Sequence, residues 1–480
     1  MEERTLKEIT PPSVDFSQWY LDVVLKAELA DYGPVKGCMV IRPYGFAIWE
    51  HIQAETDRRI KALGHQNAYF PLLIPKSFLE KEKEHVQGFS PECAWVTIGG
   101  GEELEEPLAI RPTSEAIICS MYAKWVKSWR DLPILLNQWC NVVRWEKVTR
   151  PFLRTTEFLW QEGHTLHATA EEGQKETLDI LEMYREVAED VLAMPVHFGP
   201  KSDSEKFAGA SRTYSIEALM GDGKALQAGT SHNLGQHFAK AYEIEFVDQN
   251  QQRALPWSTS WGVSTRLVGG LIMTHGDERG LVIPPKLAPY QVVIVPIPPR
   301  KGDWNEAVLP KARTVAQELK AAGIRVHLDD RDNHQTGFKY ADWEMRGVPL
   351  RLEIGPKDIE KDSCVLVRRD TREKEFVPLE GLSASVLSRL DAIQKNLFLK
   401  AQKFRDDNTS EPQSYDQFKE IMSTRRGFLL AGMCSSAECE AKIKEETKAT
   451  VRCFPLKRDE ARACIRCGSE GKLAYFAQAY

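Results

Sequence analysis

The sequence predicts an α+β protein built as three successive domains, and three observations carry that expectation. Residues 1 to about 285 mix amphipathic helices with apolar strand-like runs and hold no repeat. Behind a proline-rich break the rhythm turns to alternating strands and helices. Five of the ten cysteines then crowd into the chain from Cys434 onward. A chain of 480 residues exceeds what one hydrophobic core usually serves, so division is expected. With 42% hydrophobic and 28% charged residues it reads as an ordinary globular protein. The net charge of −6 does not announce a nucleic-acid partner, which would need a local basic surface. No apolar run is long enough for a membrane span. The start, Met1-Glu-Glu-Arg, is acidic and lacks an apolar stretch, so neither a secretory signal nor a transit peptide is expected. The ten cysteines then read as reduced thiols of a cytoplasmic protein.

Taken in order, helical spacing of Phe46, Trp49, Ile52, Ile60 and Leu63, with Gly64 as a stop, predicts a helix over Gly45–Leu63. Ala68–Ile74 reads as a strand ended by Pro75. A helix over Ser114–Val126, a strand over Ile134–Glu146 and a long helix over Ala170–Leu192 follow. Val282-Ile-Pro-Pro-Lys-Leu-Ala-Pro reads as a linker and divides a first domain, 1–285, from a second, 286–403. In the second, strands are expected at Gln291–Ile297, Ile324–Leu328, Pro349–Ile354 and Cys364–Arg368. Helices are expected at Trp304–Ala322 and Phe338–Arg346. The polar, breaker-rich stretch Phe404–Gln413 reads as a second linker, before a third domain, 404–480.

In that third domain Cys434-x4-Cys439 and Cys464-x2-Cys467 have metal-ligand spacing. Two close pairs from distant turns can set four thiolates around one ion, and four soft ligands favour a structural Zn²⁺. The alternative is a set of buried, inert thiols. Cys453 has no close partner and stays outside the set.

Chemistry concentrates in the first domain. Arg111-Pro-Thr-Ser-Glu115 is one segment. Arg144-Trp-Glu146, followed by Phe152-Leu-Arg-Thr-Thr-Glu-Phe158, is a second, and Trp261-Gly-Val-Ser-Thr-Arg266 a third. Together these resemble motifs 2 and 3 of the class II aminoacyl-tRNA synthetases, with Pro71 in the place of the motif 1 proline. Adding Phe158-Leu-Trp-Gln-Glu-Gly-His164 and Ala225-Leu-Gln-Ala-Gly-Thr-Ser-His-Asn-Leu-Gly235, the whole chain resembles the prolyl-tRNA synthetases of the archaeal/eukaryotic-like subtype. Motif 3 departs from many class II enzymes in carrying Thr265 where an acid usually precedes the arginine.

That resemblance implies an antiparallel catalytic sheet flanked by helices, an α/β anticodon-binding domain and a small α+β zinc-binding domain. It implies a homodimer, with L-proline, ATP, Mg²⁺ and tRNA(Pro) as substrates and partners. Arg144 and Arg266 would be the catalytic arginines, at the α- and γ-phosphates. Always-charged, bidentate guanidinium suits two anions that repel one another. Glu146, Arg154, Thr155, Thr156, Phe158, Gln227, Thr230 and Ser264 would complete the ATP site. Thr113 and Glu115 would take the proline ammonium and Arg144 its carboxylate. Trp160, Phe207 and His232 would wall the ring. In the second domain Glu344, Arg351 and Lys357 would read the anticodon, whose guanines suit arginine, lysine or carboxylate. Lys301 and Lys311–Arg313 could track phosphates. The stretch between Glu162 and Trp261 leaves no room for an inserted editing domain. Tyr480 would dock near the active site. Competing readings are a threonyl or histidyl relative, and a paralogue that binds tRNA without catalysis.

Overall fold

The run from Ile134 to Ser264 is spent largely on one sheet. The computed structural model describes residues 9–85, 92–299 and 304–480. The sheet's strands are β1 (Gln66–Asn67), β2 (Ile134–Val143), β3 (Glu157–His167), β4 (Val196–Pro200), β5 (Arg212–Leu219), β6 (Ala225–Gly235) and β7 (Trp257–Ser264). They lie in the order β1-β2-β3-β7-β6-β5-β4, antiparallel except for the β1–β2 pair. Helices α1 (Phe16–Lys26), α2 (Pro43–Ala62), α3 (Glu115–Trp125), α4 (Ala170–Glu186) and α5 (Arg266–His275) flank it. Pro43 opens α2, where a missing N–H costs nothing. Thr169 and Glu172 close a capping box at the start of α4. That helix lies against β3, β5, β6 and β7. Trp19, Trp49, Tyr184 and Trp261 fill the core beneath. Gly163 is required opposite Trp261, because a Cβ there would strike the indole ring.

The second unit has strands β8 (Val292–Pro296), β9 (Val326–Leu328), β10 (Leu350–Ile354), β11 (Ser363–Arg368) and β12 (Lys374–Pro378). Their order is β9-β8-β10-β11-β12. The first three are parallel, joined by α6 (Leu309–Ala321) and α7 (Thr336–Met345), and the last two antiparallel. Helix α8 (Leu382–Asp407) leads to the third unit. There β13 (Thr409–Ser410), β14 (Phe428–Met433), β15 (Ala449–Cys453) and β16 (Lys472–Gln478) form a sheet ordered β13-β14-β16-β15, with α9 (Tyr415–Thr424) and α10 (Ala437–Thr447). Both smaller units are tied to the first. Arg369 grips Asp277 with two nitrogens at 2.7 and 2.6 Å, and the Phe454 N–H donates to Pro200 O at 2.8 Å. Helix and sheet of this kind, with the antiparallel core sheet, make the chain α+β as the sequence predicts.

The structure corrects several local expectations. Ala68–Ile74 is no single strand: β1 ends at Asn67, and Leu73–Pro75 pairs in a separate three-stranded sheet with Ala94–Gly99 and Glu102–Ile110. Pro71, lacking an N–H, sits in the break. β2 stops at Val143, so Arg144 and Glu146 project from its end. The proline-rich stretch after Val282 is no loose tether, since Ile283, Leu287 and Ala288 are buried in the first core. The helix expected over Trp304–Ala322 is two helices, Trp304–Ala307 and α6, parted just before Pro310. The expected second linker is helical through Asp407, because α8 runs straight into it. Strand β12 and helix α8 were not anticipated.

Candidate functional site

The ends of β2 and β3, the middle of β6 and β7 and the start of α5 converge on one cavity of about 260 Å³. Its lining holds Thr113, Glu115, Arg144, Phe158, Trp160, Phe207, Gln227, Thr230, His232, Ser264 and Arg266, all expected from the sequence. Strand register explains the convergence. Trp160 pairs with Ser264, Thr230 with Gly262 and Thr213 with His232, so alternate residues of neighbouring strands face one way. Arg144 leaves β2 with its Nε donating to Pro112 O at 3.0 Å. Its guanidinium lies 5.4 Å from the ring centres of both Phe158 and Trp160. Arg266 opens α5, its Nε donating to Leu153 O at 3.1 Å and its Nη1 reaching Gln227 O at 3.5 Å. Burial and the neighbouring charges of Arg144 and Arg154 lower its pKa to about 10, so it is charged at neutral pH.

The opposite wall is acidic. Ligand atoms of Glu115, Glu162 and His164 lie within 4.8 Å of one another. Thr113 Oγ1 donates to Glu115, and Ser114 Oγ to Glu162. Gln138 Nε2 donates to Glu162 at 3.0 Å, and His164 Nε2 lies 3.0 Å from its other oxygen. Burial works against both charges of this pair. The hydrogen bond and charge of His164, and then the hydrogen bonds from Ser114 and Gln138, nonetheless hold Glu162 below the ordinary carboxylate range, and Glu162 with Glu115 raises His164. His232 goes the other way. Burial, then the charges of Lys201 and His164, push it down to about 3, so it stays neutral. Thr213 Oγ1 holds both His232 Nδ1 at 3.0 Å and the Phe207 N–H at 2.9 Å, setting the two rings 4.7 Å apart. The cavity therefore offers two fixed cations at one end, a carboxylate floor and an aromatic wall. Such a set can hold a small ligand carrying both a cationic nitrogen and anionic groups.

Four expected residues are absent from the lining. Glu146 and Arg154 pair with each other at 3.9 Å on the hairpin after β2, near enough to act electrostatically on Arg266. Thr155 and Thr156 are buried. The Thr155 hydroxyl donates to Glu157 O, and Thr156 exchanges backbone bonds with Arg144 and Gly37. Both are thus tied into the backbone around the hairpin. Sequence reasoning also missed residues: Glu162, His164, Lys201 and Lys206 line the same cavity. The signal for the first two was present, since Glu162 and His164 are two apart on a strand and so share a face with Trp160.

In the second unit Glu344 and Arg351 line a basic cavity of about 330 Å³ with Arg279, Tyr340, Arg368 and Arg372. Glu344 pairs with Arg279 at 3.0 Å, and Arg351 lies 4.0 Å over the Tyr340 ring. Lys357 is exposed on the short helix Pro356–Glu360 and is not part of that cavity. Lys311 and Arg313 are exposed or half-exposed and lie near Asp362 and Asp330 at 3.8 Å; Lys301 is outside the described residues. In the third unit the sulfurs of Cys434, Cys439, Cys464 and Cys467 lie within 4.8 Å of one another, two pairs at 3.7 and 3.6 Å. A tetrahedral site with metal–sulfur bonds of about 2.3 Å sets its sulfurs about 3.8 Å apart, so the set fits a four-thiolate metal centre. Cys453 is buried elsewhere on β15. Tyr480 docks, its N–H donating to Ala225 O at 3.2 Å and its ring beside Lys224 at 4.9 Å.

Comparison with known proteins agrees with this layout. Residues 95–275 match the tRNA synthetase class II core domain (G, H, P, S and T). Residues 291–389 match the anticodon binding domain, and 415–480 match the prolyl-tRNA synthetase C-terminal family. The chain is 57% identical to proline--tRNA ligase 2 of Clostridioides difficile (strain 630), covering 100% of this chain and 99% of that protein. It is 56% identical to the proline--tRNA ligase of Natranaerobius thermophilus, over the same shares. It is 57% identical to that of Rubrobacter xylanophilus, over 99% of each. With class II core, anticodon-binding and C-terminal regions all matched in order, the chain belongs to the proline–tRNA ligase family of class II aminoacyl-tRNA synthetases.

Proposed function

We propose that this enzyme activates L-proline with ATP to the prolyl adenylate, and then passes the prolyl group to the 3′ end of tRNA(Pro). AMP and pyrophosphate are released. One observation carries the reading: Arg144 and Arg266 face the same cavity as the Thr113–Glu115 pair and the Trp160–Phe207–His232 wall. Glu115, with Thr113, takes the secondary ammonium, and the ring lies against the three aromatic faces. Arg144 bridges the proline carboxylate and the α-phosphate, offsetting the repulsion between attacking and attacked anions. Arg266 holds the γ-phosphate. Phe158 stacks on the adenine, while Gln227, Thr230 and Ser264 bound the nucleotide. Glu146 and Arg154 swing to it from the hairpin. The attacking carboxylate is already ionised, so no general base is needed and catalysis is positioning plus electrostatics. Mg²⁺, when bound, neutralises phosphate charge.

Cys434, Cys439, Cys464 and Cys467 hold a structural Zn²⁺, supported by their sulfur spacing. Glu344 and Arg351 read the anticodon guanines, supported by their shared basic cavity, with Lys357 a more distant contact. A homodimer forms along the segment that exposes Tyr32, Val40, Tyr69, Trp95 and Ile98. The chain divides into functional units at 1–285, 286–403 and 404–480. None of the ten cysteines is joined in a disulfide, which suits a reducing cytoplasm. Among the described residues no helix is long and apolar enough to cross a membrane. An internal editing domain is not part of the reading, since the residues between Glu162 and Trp261 supply α4, β4, β5 and β6 of the catalytic unit. Each missing methylene is worth only about 1–3 kcal/mol, so alanine or cysteine is activated weakly and corrected by another protein.

The test is ATP–pyrophosphate exchange with each of the twenty amino acids in the absence of tRNA. Exchange led by proline, lost in Arg144→Ala and Arg266→Ala variants that remain folded, is expected. Exchange led by another amino acid, or full activity in either variant, overturns the assignment.

A further inference from the structure

A buried side chain of the third unit is linked to the catalytic cavity through two partners. Arg452, on β15, is 5% exposed. Its Nη2 and Nε donate to Glu217 Oε2 on β5 at 2.7 and 3.0 Å, and its Nη1 to Thr450 Oγ1 at 3.1 Å. Glu217 is fully buried, and its other oxygen accepts from Ser215 Oγ at 2.7 Å and faces Lys201 Nζ at 3.5 Å. The Lys201 ammonium sits in turn 3.4 Å from the backbone carbonyl of Arg452 and donates to Gln227 Oε1 at 3.1 Å. Lys201 and Gln227 both line the cavity, and the Gln227 carbonyl meets Arg266. With its oxygen claimed by Lys201, the Gln227 amide has its two N–H donors left for an acceptor in the cavity.

We propose that Arg452 is a positioning residue for the nucleotide: through Glu217 and Lys201 it fixes the rotamer in which Gln227 presents its amide nitrogen to ATP. Charge balance makes the relay sensitive. Glu217 is shared by two cations of opposite origin, Lys201 from the catalytic unit and Arg452 from the C-terminal unit. Burial opposes the Glu217 charge, and Arg452 and then Lys201 overcome it and hold its pKa below the ordinary carboxylate range. Without Arg452, a buried carboxylate keeps Lys201, at 3.5 Å, as its nearest cation and draws it from Gln227. The C-terminal unit thereby acts on ATP binding while touching neither ATP nor proline. This rests on the reading that Gln227 faces ATP.

The experiment is a two-by-two cycle of Arg452→Met and Gln227→Ala, with the Michaelis constants for ATP and for proline measured separately by pyrophosphate exchange. Each single variant should raise the ATP constant about tenfold, within the range of coupling through a shared hydrogen-bond network. The proline constant should stay near its original value, and the double variant should be no worse than either single. Arg452→Lys keeps the charge and should recover most of the ATP affinity; Arg452→Gln, which also removes the charge, replaces Arg452→Met in the cycle if that protein does not fold. Multiplying effects in the double variant, or equal rises in both constants, overturn the proposal while leaving Gln227 at the nucleotide. An unchanged ATP constant in Gln227→Ala overturns the placement of Gln227 itself, and the relay with it.

Discussion

Replacing Glu162 by glutamine tests the acidic floor of the cavity most directly. The side chain is 3% exposed and accepts from Ser114, from Gln138 at 3.0 Å and from His164 at 3.0 Å. An amide keeps the size and some acceptor capacity but removes the charge that matches a protonated His164. A hydrogen bond to a charged group is worth about 1.5–3 kcal/mol, so a loss of about 2 kcal/mol is expected near neutral pH. The pH dependence is more specific. In the native enzyme His164 is raised above its ordinary 6.5, so its contribution is fully present below that value and fades as pH rises through the raised one. Glu162 is held below its ordinary 4.5, so its contribution is present above that value and fades as pH falls through the lowered one. The cost of Glu162→Gln should therefore be greatest between about pH 4.5 and 6.5. In the variant, burial still opposes the His164 charge and Glu115 alone is left to favour it. The unfolded chain then holds that proton more tightly than the folded variant does, adding up to about 1.4 kcal/mol for each pH unit below 6.5. Urea unfolding of both proteins at pH 5.5, 7 and 8.5, with the His164 titration followed by NMR, checks this. A cost independent of pH across that range, or a His164 that titrates at its ordinary value in the native enzyme, refutes the buried ion pair.

Three other histidines should set the acid limit of the fold. Burial, with nearby cations helping, pushes His197 and His232 down to about 3 and His275 to about 4. Each stays neutral when folded, so stability is lost as pH falls below about 6.5, at about 1.4 kcal/mol per unit for each; a flat urea midpoint between pH 6.5 and 5 contradicts this. Cys464→Ser should abolish bound metal, read by elemental analysis of the purified protein. It should also speed amide exchange through residues 415–480 while sparing the catalytic sheet; retention of one equivalent of metal would exclude Cys464 as a ligand. Gly163→Ala should lose about 1–3 kcal/mol, because its methyl group must displace the buried Trp261 ring. Thermal unfolding at or above the parent value would show that the ring can give way.

What the sequence made legible was whatever its chemistry could not replace. ATP and a carboxylate demand fixed cations, and Arg144 and Arg266 stand out because their motifs tie guanidinium to named neighbours. The four cysteines stand out because thiolates gathered around one ion must come in close pairs. Less was legible where one residue type serves two purposes. Thr155 and Thr156 sit in the same motif as Phe158, yet the Thr155 hydroxyl bonds Glu157 O and the Thr156 backbone bonds Arg144 and Gly37. Glu162 and His164 alternate as any strand does, and only the absence of solvent around them turns alternation into an ion pair. Helix α8 carried a readable stripe in Leu382, Val386, Leu390, Ile393, Leu397 and Ala401, but its polar final turn mimicked a linker.

Arg452 marks the real boundary of such reading. Nothing near it in sequence calls for an arginine, since its partner, Glu217, lies in another unit 235 positions away. Its identity is fixed by a carboxylate that β5 buries and by a lysine that the loop after β4 brings beside it. Neither condition exists until the catalytic sheet has formed and the C-terminal sheet has docked on it through Phe454 and Pro200. Local chemistry thus names the groups that gather in the candidate cavity. The groups that hold those in place belong to the assembled fold, and they emerge only when its buried charges are followed from one partner to the next.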